Sequence, residues 1–209
     1  MNYCSILLRH KIKMTLYTLV FICTASFITG CFIPTKPTKL QYAYDMYGLN
    51  FNPKNKLYLA HNIWYENPMD ISSINYQTGK IIPLGTEIKF IEARRGFITF
   101  KTVENNKEYK IVNDVDWSST PDKVMFHRIF TSKDPLLKFK DTPKQILDDM
   151  KKGIIAVGMT REEIYGALGH GPHFLNPKSQ QTWTYLVNKG LKTIHVVFKN
   201  NKVSYIFTN

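Results

Sequence analysis

Hydrophobic and polar residues alternate in short runs between residues 57 and 113, and many of the apolar positions are β-branched or aromatic. This pattern is typical of half-buried β-strands separated by turns. The predicted strands are Leu57–Tyr65, Ile71–Tyr76, Thr86–Ala93, Phe97–Glu104 and Glu108–Val112. Because so few residues can bury a core only by curling the sheet, we predict a small β-barrel domain over residues 57–116.

Residues 142–169 show the features of two short helices. The motif Thr142-Pro143-Lys144-Gln145 predicts a capping box at the start of the first helix, and Gly153 is placed to end it. Thr160-Arg161-Glu162-Glu163 predicts a second capping box, and Gly169 is placed to end that helix. In the connector over residues 117–141, Thr120-Pro121 favours one more short helix, with Thr as cap and Pro in its first turn.

Three alternating runs close the chain, at Thr182–Val187, Lys192–Lys199 and Lys202–Phe207. Their short connections predict an antiparallel meander, and the two helices must cover its apolar face. The sequence therefore predicts a two-layer α+β domain over residues 142–209.

The opposite face of this sheet is polar around an apolar centre. Its predicted residues are Thr182, Thr184, Thr193, His195, Val197 and Lys199. We predict that a partner docks on this face, with Thr184, His195 and Val197 at the contact. The alternatives are an ordinary solvated sheet face or one that packs on the β domain.

The chain begins with three cations, Arg9, Lys11 and Lys13, followed by an uncharged apolar run that closes on Ile28-Thr29-Gly30-Cys31. These features predict a secretory signal over residues 1–30, whose cleavage leaves Cys31 at the mature N-terminus. The tetrapeptide resembles the signal of bacterial lipoproteins. That resemblance implies a diacylated Cys31, anchored in a membrane by acyl chains such as palmitate.

Two further expectations concern the residues around the predicted cleavage site. The uncharged run reaches Thr35 and is long enough for an uncleaved membrane span, but Gly30 and Pro34 interrupt it. Residues 31–56 are predicted to form a tether. Phe32 stands where an aspartate would often retain a lipoprotein in the inner membrane, so the resemblance implies the periplasmic face of the outer membrane.

Cysteine content and charge narrow the function classes. Cys4 and Cys23 fall in the predicted signal peptide, so the mature domains have no disulfide, thiol nucleophile or thiolate metal site. The chain has 28 Lys+Arg against 16 Asp+Glu, a formal charge of +12. In an exported protein this excess favours phospholipid headgroups, lipopolysaccharide phosphates or cell-wall carboxylates over nucleic acid, although it also serves solubility alone.

The residues that could carry chemistry form no recognisable active site. His170 and His173 share a Gly/Pro loop but provide only two of the three or four ligands that zinc needs. Asp148-Asp149 and Glu162-Glu163 are neighbours on helices and so point apart. We therefore predict a non-enzymatic protein with no metal and no cofactor.

The C-terminal region resembles the BamE (SmpA/OmlA) family of outer-membrane lipoproteins. The matching segments are Gly158-Met159-Thr160-Arg161-Glu162-Glu163-Ile164, Ala167-Leu168-Gly169, Pro172, Trp183-Thr184-Tyr185, and Val196-Val197-Phe198 leading into Asn201-Lys202-Val203. The resemblance implies two helices on a three-stranded sheet and an accessory role in assembling outer-membrane proteins. Ile82–Ile88 and the hairpins after it resemble an SH3-like barrel.

These observations predict a lipid-anchored envelope protein that acts as an interaction or assembly module. It would contact the membrane through Cys31 and an envelope protein through its folded domains. The alternative is a lipoprotein whose β-barrel binds cell wall or another ligand.

Overall fold

The computed structural model describes residues 56–114, 120–172 and 181–209. The predicted signal peptide, Cys31 and all but the last residue of the predicted tether lie outside the described residues. In the described part the chain is an α+β protein with a curled mixed sheet, a separate three-stranded antiparallel sheet and three α-helices.

The mixed sheet has six strands in the order β3-β7-β6-β5-β1-β8. Its strands are β1 Leu57–Leu59, β3 Ile71–Ser72, β5 Glu87–Arg94, β6 Phe97–Thr102, β7 Glu108–Val112 and β8 Phe130–Thr131. The β3–β7 pair is parallel and the other pairs are antiparallel. A register shift between Phe90 and Glu92 interrupts the β5–β6 ladder, and such an irregularity bends a strand and increases its twist.

Helix α1, Asp122–Ile129, buries Met125, Phe126 and Ile129 in the core of this sheet. The centre of the core is aromatic: the rings of Phe90 and Phe100 contact that of Phe130 with centroids 5.1 and 5.5 Å apart. The short helix expected after Thr120-Pro121 is therefore present. Its N-cap is Pro121 without a side-chain cap, so the expected role of Thr120 was wrong.

The second core lies between helices α2, Lys144–Lys151, and α3, Arg161–Leu168, and the three-stranded sheet. The strands of that sheet are β9 Thr182–Val187, β10 Lys192–Lys199 and β11 Lys202–Thr208, in the order β11-β10-β9. The predicted antiparallel meander is confirmed. Its buried face presents Tyr185, Val196 and Phe198 to the helices.

The structure corrects several predicted boundaries in the β region. The expected strand Leu57–Tyr65 is divided into β1 and β2, Ile63–Tyr65. His61 and Asn62 lie between the two strands, are buried and belong to neither. Strand β2 pairs with β4, Lys80–Ile82, which the sequence pattern did not reveal. The run expected to extend to Tyr76 ends at Ser72.

The two predicted capping boxes have different outcomes. Thr160 accepts from the Glu163 amide at 3.2 Å, and the Glu163 carboxylate accepts from the Thr160 amide at 2.7 Å, so the α3 box is confirmed. The α2 box is wrong. Pro143 occupies the N-cap without a side-chain bond, while the Thr142 hydroxyl donates to the Glu163 carboxylate at 3.2 Å.

Candidate functional site

A groove of about 1010 Å³ lies beside the first turns of α3. One wall is formed by β8 and the segment that follows it, including a 3-10 turn over Pro135–Phe139. The other wall is formed by Arg161, Glu162 and Tyr165 of α3 and by Trp183 of β9. The groove therefore lies where structure from the connector meets the C-terminal unit.

Arg161 is the best-positioned charged group in the groove. Its guanidinium carbon lies 4.1 Å from the centre of the Phe198 ring and 5.1 Å from that of the Trp183 ring. Aromatic faces attract a guanidinium and restrict it to a plane parallel or tilted to the ring. Within the described ranges Arg161 forms no ion pair.

Two lysines and two carboxylates complete the charges along the groove. Lys133 and Lys138 are exposed, as is Glu162, whereas Asp134 is half-buried. The Asp134 carboxylate accepts from the Leu136 amide at 2.9 Å, which caps the 3-10 turn. The groove walls thus have a small excess of positive charge, next to an apolar surface that includes Leu137, whose side chain is 69% exposed.

Behind the groove lies a cluster of rings around Tyr165. Its ring contacts those of His61 and His170 with centroids 5.3 and 4.7 Å apart, and its hydroxyl donates to the Arg128 carbonyl at 2.7 Å. Burial lowers the pKa of His61 to about 4, against the opposite effect of the hydrogen bond it donates to the Asn62 carbonyl. His61 is 2% exposed, and its lowered pKa keeps the ring neutral at pH 7.

The residues predicted to bind a partner share the outer face of the three-stranded sheet. His195 lies across from Thr184 and two positions from Val197 on the same strand. Its ring is hydrogen-bonded to the hydroxyls of Thr184 and Thr193 at 3.0 and 2.8 Å, and it stacks on Phe207 with centroids 4.5 Å apart. The structure therefore brings Thr184, His195 and Val197 together, beside an exposed Tyr205.

Other predicted positions have simpler locations. Arg94 is the last residue of β5, and its side chain donates to the Glu92 carboxylate at 2.6 Å. His170 contacts Tyr165, but His173 lies outside the described residues. Over residues 56–114, 120–172 and 181–209, no group of three or more metal-binding side chains comes together.

Sequence patterns did not reveal the groove, because each residue of its α3 wall also fits a role in the fold. Trp183 alternates correctly for the sheet core, and Arg161 belongs to a recognised capping motif. Arg161 in the first turn opposes the helix dipole, but Glu162 and Glu163 in the same turn complement it, so the sequence did not single Arg161 out.

None of the helices in the described part of the chain combines the length and apolar character that a membrane span requires. Comparisons with protein-family models, with curated proteins and with solved structures found no match to this chain.

Proposed function

We propose that this protein is a lipid-anchored, non-enzymatic module of the bacterial envelope that acts by binding another envelope protein. The observation that carries the proposal is the groove beside α3, with its stacked Arg161 and its exposed Leu137. Its size is at the upper end of the range for small-molecule pockets, about 300–1,000 Å³, and it has an open side that a protein segment can enter.

The chemistry of the groove supports binding. Arginine and tryptophan are among the side chains most enriched at the centres of protein interfaces, where they combine apolar area with directed hydrogen bonds. The burial of His61 against Tyr165 and Asn62, next to the groove, supports a non-enzymatic role.

The proposed location is the periplasmic face of the outer membrane, through acyl chains on Cys31. The support is the segment Ile28-Thr29-Gly30-Cys31 and the Phe32 that follows it. A Cys31→Ala variant is expected to fold normally but to lose lipoprotein fractionation. Mass spectrometry of the native N-terminus provides the direct check, and an unmodified Cys31 in the membrane fraction would contradict the proposal.

We also interpret the C-terminal unit as BamE-like and the curled mixed sheet as an SH3-like barrel. Two helices on an antiparallel meander support the first interpretation. Support for the second comes from the curled sheet, whose β5–β6 and β6–β7 hairpins follow each other along the chain. Accessory work in outer-membrane protein assembly would then be the role of the module.

A second candidate surface is the outer face of the three-stranded sheet. It is favoured by the ordered contact of His195 with Thr184, Thr193 and Phe207, which holds an aromatic surface in place without contributing to the second core. A Thr184→Glu, Val197→Glu double variant charges this face while leaving the buried face unchanged.

Photocrosslinking in the native envelope tests the binding role. A photoreactive residue at Leu137 is expected to yield one defined protein adduct, while the same residue at the exposed Lys89 of β5, outside the groove, yields none. A probe at Val197 examines the sheet face in parallel. Absence of any adduct specific to Leu137 or Val197 would overturn the binding role.

The rival function, attachment to cell wall through the β domain, has its own test. We expect the full-length Cys31→Ala protein to stay in the supernatant when purified peptidoglycan is sedimented. Saturable cosedimentation with peptidoglycan would identify cell wall, instead of a protein, as the binding partner.

A further inference from the structure

We propose that the groove beside α3 binds an acidic peptide segment of the partner protein, with a partner carboxylate on the Arg161 guanidinium. This inference rests on the proposed binding function and adds the chemistry of the ligand. The juxtaposition behind it is a cation fixed on two aromatic rings at the side of an open, partly apolar groove.

The orientation of Arg161 points to the acceptor. The Arg161 guanidinium lies over the rings of Phe198 and Trp183, and neither ring accepts its N–H groups in the way that an oxygen does, so these donors serve another group. A carboxylate matches that edge with two parallel hydrogen bonds, which a single point charge such as lysine cannot offer. Because the described residues provide no ion-pair partner for Arg161, the acceptor is assigned to the ligand.

The charges around Arg161 also favour an acidic ligand. Lys133 and Lys138 line the same groove as Arg161, and these three cations exceed the two carboxylates of the groove, one of them on Asp134, by one charge. Glu162 is the remaining acid on the wall. Without Arg9, Lys11 and Lys13 of the predicted signal peptide, 25 Lys+Arg remain against 16 Asp+Glu, a formal charge of +9, so the local and the global field both favour an acidic over a basic partner.

An apolar surface lies beside these charges. Leu137 is 69% exposed, a large apolar area that a partner can cover, and Trp183 provides an aromatic wall. A segment that carries an apolar side chain near an acidic one would use both features. A groove of about 1010 Å³ accommodates several residues of an extended chain rather than one side chain.

The test is to select a display library of short random peptides for binding to the purified full-length protein. Enriched sequences are expected to carry Asp or Glu at a fixed spacing from an aromatic or aliphatic residue. Fluorescence anisotropy of the best peptide then gives affinities for the parent protein and for its variants.

Arg161→Glu is expected to weaken peptide binding by about tenfold or more, equivalent to about 1.4 kcal/mol. Arg161→Lys, which keeps the charge but loses the planar fork, is expected to lose less. Lys89→Glu makes the same charge reversal on β5, outside the groove, and is expected to bind like the parent. Circular dichroism and melting of each variant establish that it is folded, and Arg161→Gln replaces Arg161→Glu if the latter is not.

Two results of the peptide experiments would overturn the inference: enriched peptides without an acidic residue, or equal losses of affinity for Arg161→Glu and Lys89→Glu. A third is a change in the fluorescence of a dye attached at position 137 when anionic phospholipid vesicles are added, if no peptide changes it. The last result would identify a lipid as the occupant. A failed selection together with a Leu137 crosslink in the envelope would reject the acidic peptide alone and leave the binding function in place.

Discussion

The two ends of helix α3 differ in how their free backbone groups find hydrogen-bond partners. At the N-terminus, Thr160 and Glu163 exchange hydrogen bonds within one turn, and both residues belong to a single motif of four. At the C-terminus, the last carbonyls accept hydrogen bonds from side chains that lie 91 to 105 residues earlier in the chain, a separation typical of contacts set by tertiary structure.

The C-terminal end is held by three buried amide side chains. The Asn62 side chain donates to the Ala167 carbonyl at 3.0 Å, and those of Asn75 and Gln77 donate to the Leu168 carbonyl at 3.0 and 3.1 Å.

Asn62 also bonds to the other helix. Its side chain donates to the Met150 carbonyl at the end of α2, at 2.6 Å, and accepts from the Leu84 amide at 2.8 Å. One asparagine thus joins both helices to the β region.

The contrast shows where the stability of the C-terminal unit comes from. The start of α3 depends mainly on a local motif, which satisfies the amides of Thr160 and Glu163. Its end depends on residues between β1 and β4, and Leu84, just after β4, belongs to the second core. Substitutions at the two ends should therefore differ in their cost.

The largest effect is expected for Asn62→Ala, at the C-terminal end. The change leaves the buried Ala167 carbonyl and Leu84 amide without the partner that the side chain provided, each at about 1–3 kcal/mol, so we expect a loss of about 4 kcal/mol. The Met150 carbonyl keeps the Gly153 amide at 2.9 Å. Chemical denaturation measures the free energy of unfolding. Asn67→Ala removes an exposed bond to the Met69 amide and is the control, with an expected loss below about 1 kcal/mol. Equal losses for the two asparagines would show that the buried amide is dispensable.

The next effect is expected for Gly169→Ala. Gly169 has φ +77°, and an added methyl group would lie 2.6 Å from His61 Nδ1 and 2.9 Å from Asn75 Nδ2, both on buried side chains. Backbone strain and overpacking together predict a loss of about 3 kcal/mol. Gly96→Ala has a similar φ of +84° with nothing within 4 Å, so it isolates the strain. If both variants melt at the same temperature, packing at the helix end contributes nothing.

Acid is expected to destabilise the protein through His61, which packs against Gly169. The pKa of His61 is about 4 in the folded protein and about 6.5 in the unfolded chain, because burial disfavours the charged ring. The unfolded state therefore binds more protons between these values, and stability falls as the pH drops from about 6.5 to 4. The full difference is about 3 kcal/mol.

Denaturation curves across this pH range, for the parent and for His61→Gln, separate the contribution of His61 from that of other groups. The parent is expected to lose more stability than the variant on acidification. Parallel pH profiles would mean that His61 protonates freely in the folded state.

The smallest effect is expected at the N-terminal end. Thr160→Ala removes a side-chain cap and is expected to cost about 1 kcal/mol. Thr142→Ala is the comparison, since Thr142 also contacts Glu163 but does not cap a helix, and its expected cost is smaller. Thermal melting of both variants shows which one loses more stability. A larger loss for Thr142→Ala would mean that Glu163 stabilises the protein mainly through Thr142, which precedes α2, and less through the cap of α3.

Several elements could be predicted because their signals are local. The bounds of β9 and β10 agree with the alternation of the sequence, and β11 extends the prediction by one residue to Thr208. The outer face of that sheet follows from the same alternation, so Thr184, His195 and Val197 were correctly placed together. The Thr160 capping box was correct for the same reason.

Other elements had no local signal. Thr142 has the sequence of a cap, but its hydroxyl bonds to Glu163 on another helix, and only the packing of α2 on α3 provides that acceptor. Strand β4 is three residues long and was recognisable only through its partner β2. The groove depends on Arg161 meeting Trp183 and Phe198 from two different strands, which periodicity cannot show.

Local sequence was enough to assign the helical and extended segments of the C-terminal unit and the start of α3, and it holds the segment around Cys31 on which the lipid-anchor proposal rests. Folding in three dimensions was needed to establish how the C-terminal ends of the helices are satisfied and where the groove lies. The two kinds of information differ in range. Periodicity and caps act over a few residues, whereas Asn62 reaches Met150 and Ala167, and Arg161 reaches Trp183, only after the chain has folded.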